Sequence, residues 1–137
     1  MSELTLADKM ELHELAGRYG DAIDDRAWGR LDSIFTHDAV FEVRGLDIVM
    51  NGLSEIKAFM DQAGDGHPQA HLMTNIYCFE RDGVVEMRCR GLFPEENVSA
   101  DDKSSVVYHG SYYDTVVKTD AGWRIRHRIY TRGRLEQ

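Results

Sequence analysis

The stretch Ala70-His71-Leu72-Met73-Thr74-Asn75 places a histidine at the start of an apolar, β-rich run. The run continues through Ile76-Tyr77-Cys78-Phe79 and follows a loop that contains glycine and proline. A run of this composition, bounded by turn residues, predicts a strand. An imidazole in an apolar wall needs a polar partner. The stretch therefore predicts the beginning of a sheet and, at His71, a candidate for chemistry.

Downstream of His71, the chain predicts long strands joined by tight turns. Asp82-Gly83 lies between two apolar runs, and so does Asp120-Ala121-Gly122. Short turn segments of this kind are typical of β-hairpins. The polar, acidic residues 94–103 predict a longer connection between the two hairpins. The predicted strands cover residues 71–81, 84–93, 105–119 and 123–131.

Upstream of these strands, the spacing of apolar residues predicts helices. Thr5 or Asp8 is placed to cap a first helix, whose apolar residues recur three and four apart from Leu6 and Met10 onward to Ile23. The other predicted elements are a short helix over 28–35, ended by His37-Asp38, strands over 39–44 and 46–50, and a helix over 55–63.

This order, helices first and strands afterwards, predicts a single α+β domain over residues 1–137. A chain of 137 residues, of which 42% are hydrophobic, is long enough for one domain with a core of its own. We expect a curved antiparallel sheet wrapped around the helices. Such an arrangement can leave a ligand pocket between the two layers.

Charge and composition narrow the range of partners. The net charge of −8 argues against nucleic acid or an anionic membrane as the main partner. No apolar run is long enough for a membrane span and the N-terminus lacks the apolar region of a leader, so we expect a cytoplasmic location. Cys78 and Cys89 lack CxxC spacing and are expected to be buried thiols in a reducing compartment.

Six histidines raise the question of a metal site. None of them forms an HxH or HExxH pair, and no cysteine stands near one at zinc-ligand spacing. His67 and His71 are four residues apart, but Pro68 between them argues against the helix that would align them. The sequence therefore predicts no metal site.

A carboxylate near the end of the first helix is the candidate partner of His71. A carboxylate bonded to one ring nitrogen fixes the tautomer and raises the basicity of the other, as a general base requires. Asp24 and Asp25 both lie there, where a carboxylate is also typical of a solvated helix end. A backbone carbonyl in a core can equally satisfy His71. The residues alone leave these interpretations open.

From the first helix to the last strand, the chain resembles the SnoaL-like branch of the nuclear transport factor two-like superfamily. No single matching piece is specific, but six of them occur in order over nearly the whole chain. They are Tyr19-x-x-Ala22-Ile23-Asp24, Trp28-x-x-Leu31-x-x-Ile34-Phe35-x-x-Asp38-Ala39-Val40-Phe41, Gly52 with Ile56, His71-x-x-x-Asn75, Gly110-x-Tyr112-x-Asp114, and Gly122-Trp123-x-Ile125.

The resemblance implies a cone, in which a bent antiparallel sheet and N-terminal helices enclose a deep pocket. At its polar positions the chain is most similar to scytalone dehydratase, hexachlorocyclohexane dehydrochlorinase and bile-acid 7α-dehydratase. Those enzymes use an Asp–His pair, and no cofactor, to remove a proton while a leaving group departs. By resemblance, Asp24 and His71 form that pair, Tyr19 is a further catalytic residue, and Arg128 assists the leaving group. The resemblance also implies a homodimer or a higher homo-oligomer, paired through the outer face of the sheet.

Two of these assignments have alternatives. By strict alternation, Arg128 shares a face with the other arginines of the last strand, opposite Trp123 and Ile125. It enters the pocket only if the strand has a bulge or if the arginine side faces the interior; otherwise it belongs to a solvent-facing row. Asp25 takes the place of Asp24 if the first helix ends one residue later.

A pocket of this kind suits a hydrophobic cyclic small molecule. Three functions remain open: a dehydratase-type lyase, a polyketide-type cyclase or isomerase that uses the same groups, and a non-catalytic domain that binds small molecules. A dehydratase needs both Asp24 and His71, whereas a binding module needs neither. The expected substrate-contacting residues, each of which also suits a plain core, are Trp28, Phe35, Phe59, Met73 and Tyr112.

Overall fold

The computed structural model describes residues 4–96 and 105–135, which fold into helices and a six-stranded sheet of the predicted α+β class. Most of the predicted connection 94–103 lies outside the described residues. The main elements are α1 (Leu6–Asp24), β1 (Phe35–Arg44), β2 (Ile48–Asn51), α2 (Leu53–Ala63), β3 (Leu72–Arg81), β4 (Val84–Glu96), β5 (Ser105–Thr119) and β6 (Gly122–Arg132). Short 3₁₀ helices cover Trp28–Ser33 and Gly64–Gly66.

Thr5, one of the two predicted candidates, caps α1. Its hydroxyl accepts a hydrogen bond from the backbone N–H of Asp8, and the Asp8 carboxylate accepts one from the Thr5 N–H, both at 3.0 Å. This reciprocal capping box satisfies two N–H groups that the first turn leaves without partners. α1 then runs to Asp24, so its last turns carry Tyr19 and Asp24 to the same end of the helix.

The sheet is curved and open, with the strand order β2-β1-β6-β5-β4-β3. Neighbouring strands pair antiparallel except β1 and β6, which run parallel. Both predicted hairpins, β3–β4 and β5–β6, are confirmed. Asp82 and Gly83 have φ angles of 53° and 78°, and two positive φ values in succession are what a type I′ hairpin turn requires.

A β-bulge in β6 decides which way Arg128 points. Thr115 pairs with His127, but the next residue of β5, Val116, pairs with Ile125, so β6 has one extra residue at this point. An extra residue shifts the alternation of side chains by one. Trp123 and Ile125 point into the core before the bulge, and Arg128 does so after it. A bulge in this strand is one of the two conditions stated above under which Arg128 points into the interior.

β1 is longer than its sequence predicts. The predicted second helix is a 3₁₀ helix that ends at Ser33, and β1 begins at Phe35 and continues through His37-Asp38, where a break was expected. The cause is pairing with β6: the N–H of Ile125 donates to the carbonyl of Ile34 at 2.8 Å, and Phe35 lies opposite Ile125. Tertiary pairing thus overrides the local helical spacing.

The core lies between the helices and the inner face of the sheet. α1 packs against β3 and β6, and α2 packs against β1 and β2. Leu12, Leu15 and Ile23 form much of the buried face of α1, whereas Leu6 and Met10 are 79% and 62% exposed and lie off that face. Within the described residues, neither helix has the length and apolarity of a bilayer span.

Candidate active site

Asp24 and His71 meet at the junction of α1 and β3. Asp24 is the last residue of α1, and His71 immediately precedes β3. His71 Nδ1 lies 2.7 Å from Asp24 Oδ1, and the backbone N–H of His71 donates to Asp24 Oδ2 at 2.9 Å. The side chains are 6% and 21% exposed for His71 and Asp24, respectively. One carboxylate therefore binds both the ring and the main chain of the same histidine.

This geometry fixes the tautomer of His71. A carboxylate only accepts hydrogen bonds, so Nδ1 carries the proton and Nε2 keeps its lone pair. Burial lowers the pKa of His71 below its ordinary value of 6.5, although the neighbouring Asp24 carboxylate opposes this effect. The nearby His67 and Arg128 lower the pKa further. At neutral pH, His71 is therefore an uncharged imidazole with its lone pair on Nε2, which is the form that takes up a proton.

Asp25, the alternative partner, lies elsewhere. It caps the C-terminal end of α1 through its backbone N–H, and its carboxylate accepts a hydrogen bond from Arg30 at 2.8 Å. Its side chain is 58% exposed. Asp25 thus has the geometry of a solvated helix end, and the carboxylate that reaches His71 is that of Asp24.

Arg128 is completely buried and is bound by Asp114. Its Nε and Nη2 atoms donate to the two carboxylate oxygens of Asp114, each at 2.8 Å, and neither side chain is exposed. The guanidinium lies over the ring of Tyr19 at 4.3 Å and over the ring of Tyr112 at 4.4 Å. Its Nη1 atom is buried and has no partner in hydrogen-bonding geometry among residues 4–96 and 105–135. The proximity of Asp114 keeps the pKa of Arg128 above its ordinary value despite burial.

Aromatic rings connect this arginine to His71. The ring centre of Tyr19 is 6.1 Å from that of His71, in a perpendicular arrangement. The ring of Phe93 lies on another side of His71 at 5.0 Å. Burial raises the pKa of Tyr19 to about 12, although the Arg128 charge opposes this effect. Tyr19 is therefore a protonated phenol at neutral pH and keeps its O–H as a donor.

A cleft of about 310 Å³ opens next to this aromatic cluster. Phe93 lines it on one side and contacts His71 on the other, so this ring separates the cleft from the imidazole. A larger cleft of about 640 Å³ lies on the outer face of β3–β5 and includes neither Asp24 nor His71. Of these two clefts, the smaller one therefore lies next to the Asp24–His71 pair, on the other side of the Phe93 ring. Its lining residues are Pro68, Phe93, Glu95, Tyr108, Tyr130 and Arg132.

A family comparison covers nearly the whole chain, including this site. The sequence model of the SnoaL-like domain family matches residues 4–129, a span that includes Asp24, His71, Asp114 and Arg128. The chain belongs to the SnoaL-like domain family. This membership agrees with the resemblance stated from the sequence.

One sequence relative and two solved structures match this SnoaL-like domain over most of its length. Rv2910c, an uncharacterised protein of Mycobacterium tuberculosis, is 31% identical over 96% of this chain and 90% of its own. An NTF2-like protein with a cystatin-like fold from Novosphingobium aromaticivorans superimposes with a TM-score of 0.78 at 21% identity, over 96% of this chain and 85% of that one. Hexachlorocyclohexane dehydrochlorinase LinA-type3 from Novosphingobium barchaimii superimposes with a TM-score of 0.76 at 19% identity, over 96% and 90%. At such identities, the two structures establish a shared fold.

The predicted substrate-contacting residues of this SnoaL-like domain divide into two groups. Phe35 and Tyr112 are buried, Phe35 edge-to-face on Tyr19 and Tyr112 against Arg128. Trp28, Phe59 and Met73 are half-buried and pack around the core. The indole N–H of Trp28 donates to Asp61 at 3.2 Å, and its ring lies 5.6 Å from that of His67. Contact of these residues with a substrate remains a prediction.

Two residues of the site received no role from the sequence. Asp114 belongs to the matching piece Gly110-x-Tyr112-x-Asp114, and its two-residue spacing from Tyr112 places both side chains on one face of β5. Phe93 received no role because its ring contact with His71 leaves no signal in the sequence. Among residues 4–96 and 105–135, no three His, Cys, Asp or Glu side chains are grouped as metal ligands.

Proposed function

We propose that this SnoaL-like protein is a cofactor-independent lyase that catalyses a dehydratase-type elimination on a hydrophobic cyclic molecule. The observation that carries this proposal is the 2.7 Å contact between Asp24 and His71, which places the ring proton on Nδ1 and the lone pair on Nε2. A binding module has no need for a carboxylate that fixes one histidine by both its ring and its backbone N–H.

In the proposed reaction, His71 Nε2 removes a proton from a carbon next to an activating group. The electron pair of the broken C–H bond forms a carbon–carbon double bond as the leaving group departs with its own bonding electrons. Asp24 stabilises the imidazolium that forms, and Tyr19 or Arg128 donates a hydrogen bond to the oxygen on which charge develops. His71 then releases its proton to the leaving group or to water. General base catalysis of this type contributes about 10²–10⁴-fold in rate.

The surroundings of the pair support an apolar substrate. The rings of Tyr19 and Phe93 flank His71, and Tyr130 continues the aromatic surface from Phe93 into the cleft at a ring distance of 6.0 Å. Aromatic walls with a few polar groups are typical of small-molecule sites. A cyclase or isomerase acting on an enol-forming substrate would use the same groups, and the identity of the product distinguishes it from a lyase.

Proton exchange tests the proposal directly. We would incubate the protein with 2-tetralone, an uncharged cyclic ketone, in deuterated water and follow exchange at the carbon next to the carbonyl by NMR. The wild type is expected to accelerate exchange, and His71→Gln to lose that acceleration. His13→Gln is the matched control, because His13 is exposed on α1 and its Nδ1 bonds to the carbonyl of Lys9 at 2.8 Å. Ligand binding without exchange in the wild type would show a binding domain and refute the catalytic assignment.

We further propose that the protein acts in the cytoplasm as a homo-oligomer paired through the outer face of its sheet. Leu72, Leu92 and Val107 are exposed large hydrophobic residues on β3–β5. Directly paired residues point to the same side of a sheet, and Leu72 is opposite Leu92. Light scattering should find a dimer or larger assembly that Leu92→Asp dissociates; a monomeric wild type contradicts the assembly. The free thiols of Cys78 and Cys89 fit a reducing compartment.

A further inference from the structure

The bond between Asp114 and Arg128 controls which part of the arginine remains available. The carboxylate oxygens accept hydrogen bonds from Nε and Nη2, each at 2.8 Å. Such contacts fix the plane of the guanidinium as well as its position. Arg128 follows the β6 bulge and Asp114 lies opposite it on β5, so the backbone pairing brings the two side chains together.

Aromatic rings cover the guanidinium as well. Tyr19 and Tyr112 place their rings at 4.3 Å and 4.4 Å from its Cζ atom. Within the described residues, the remaining N–H groups, those of Nη1, are buried and meet no acceptor in hydrogen-bonding geometry. Buried donors without a partner are unusual, because each loses its bonds to water and gains nothing in return. An arginine that is fixed by a carboxylate and keeps one nitrogen without an acceptor is expected where a ligand oxygen binds.

The position of that edge relates it to His71. The ring of Tyr19 contacts both groups, the guanidinium on its face and the imidazole at a centre-to-centre distance of 6.1 Å. The imidazole and the guanidinium therefore share one neighbouring ring, that of Tyr19.

The charges of the site also restrict the ligand. Asp114 already neutralises Arg128 at close range, and Asp24 adds a second carboxylate next to an uncharged His71. At Nη1, a ligand carboxylate or phosphate would bring a further negative charge close to Asp114 and next to an arginine that Asp114 already neutralises. An uncharged carbonyl or hydroxyl oxygen, in contrast, satisfies Nη1 at no such cost.

We propose that Asp114 is a positioning residue, which holds Arg128 so that Nη1 alone is presented to the oxygen of an uncharged substrate. This inference rests on the proposed elimination and adds to it a role for Asp114 and a substrate class. A purely structural ion pair would stabilise the fold in the same way, but it would not respond to a ligand oxygen. The response of Nη1 to ligands therefore separates the two roles.

The first experiment observes the arginine itself. With ¹⁵N-labelled wild-type protein, the guanidinium resonances of Arg128 are followed during titration with 2-tetralone, tetralin, which lacks the oxygen, and 2-naphthoate, which is an anion. The proposal expects a shift of the Nη1 resonances with 2-tetralone alone. Equal responses to tetralin, no response to 2-tetralone, or stronger binding of 2-naphthoate would each overturn it.

The second experiment compares two matched substitutions in the proton-exchange reaction. Asp114→Asn removes the charge that clamps Arg128, whereas Glu86→Gln removes the carboxylate that contacts Arg88 at 3.1 Å on the outer face. Arg88 also lies over two rings, those of Phe79 and Tyr113 at 5.3 Å and 5.0 Å, so the control repeats the chemistry away from the site. We expect Asp114→Asn to lower kcat about ten-fold or more with a smaller change in KM, and Glu86→Gln to change neither.

The two experiments also separate this inference from the proposed function. If the wild type exchanges no carbon-bound proton, the elimination falls, and the titration still decides whether Arg128 presents Nη1 to a ketone. If the wild type exchanges and a folded Asp114→Asn variant keeps the full kcat, the positioning role falls while the elimination stands. If Asp114→Asn does not fold, the titration of the wild type alone decides the matter.

Discussion

The carboxylate of Asp24 binds His71 at two points, the ring Nδ1 at 2.7 Å and the backbone N–H at 2.9 Å. The backbone contact fixes the distance between the end of α1 and the beginning of β3. The ring contact fixes the orientation of the imidazole relative to that junction. Together they hold Nε2 in one direction, so the orientation of the imidazole does not depend on a ligand.

Asp24→Asn should abolish most of the proton exchange, and Asp25→Asn should not. An amide at position 24 can donate as well as accept, so it no longer fixes the Nδ1–H tautomer or stabilises the imidazolium. We expect a loss of about 10²–10⁴-fold in kcat. Asp25 is an equally charged neighbour whose carboxylate contacts Arg30 in solvent, which makes it the matched control. Equal rates for the two variants, measured by NMR exchange, would exclude Asp24 as the partner of the base.

The rate of proton exchange should decrease in acid, at a pH below 6.5. Burial lowers the pKa of His71 from that ordinary value, so the uncharged, basic form persists to a lower pH than in an exposed histidine. The rate should be constant near neutral pH and decrease as the pH falls through the lowered pKa, because protonated His71 accepts no further proton. A pH–rate profile of kcat/KM gives the pKa of the free protein. An inflection above 6.5 would contradict the assignment of His71 as the base.

Local patterns in the sequence predict the elements of this fold better than their pairing. Asp82-Gly83 predicts the β3–β4 turn because both residues tolerate the positive φ values that it needs. Thr5 and Asp8 define the start of α1 in the same local way. By contrast, nothing near Phe35 indicates that β1 begins there, since the parallel partner, β6, lies at the far end of the chain.

The candidate site shows the same division. By resemblance, Asp24 and His71 form a pair, and the structure brings these two side chains into contact over 47 positions of sequence. The inward direction of Arg128 depends on one extra residue in β6, which alternation alone cannot locate.

The apolar residues Leu6 and Met10 have helical spacing but remain exposed, because the face of α1 that packs on the sheet is set by Leu12, Leu15 and Tyr19. The catalytic roles themselves remain predictions.

Gly20→Ala should reduce the exchange rate without unfolding the protein. A Cβ atom at this position would lie 3.0 Å from the carbonyl oxygen of His71 and 3.2 Å from the side chains of His71 and Met73. A backbone carbonyl cannot rotate aside, so α1 and β3 must separate slightly at the Asp24–His71 contact. Displacements of this kind, up to about 1 Å, cost up to roughly 10²-fold in rate, and we expect at least a ten-fold loss in kcat. An unchanged rate would show that the junction tolerates movement.

Gly91→Ala and Gly17→Ala should change stability in opposite directions. A Cβ atom on Gly91 would overlap the ring of Phe93 and lie 3.1 Å from that of Tyr112, and both rings are buried with little room to retreat. Overpacking of this kind costs about 1–3 kcal/mol in the free energy of unfolding. Gly17 lies in the exposed interior of α1 with nothing within 4 Å of the added atom, so alanine there should stabilise by about 0.5–1 kcal/mol through helix propensity. Urea unfolding measures both changes.

Because Phe93 also contacts His71, a Gly91→Ala variant that is destabilised yet exchanges protons at the full rate would show that Phe93 does not control access to the base.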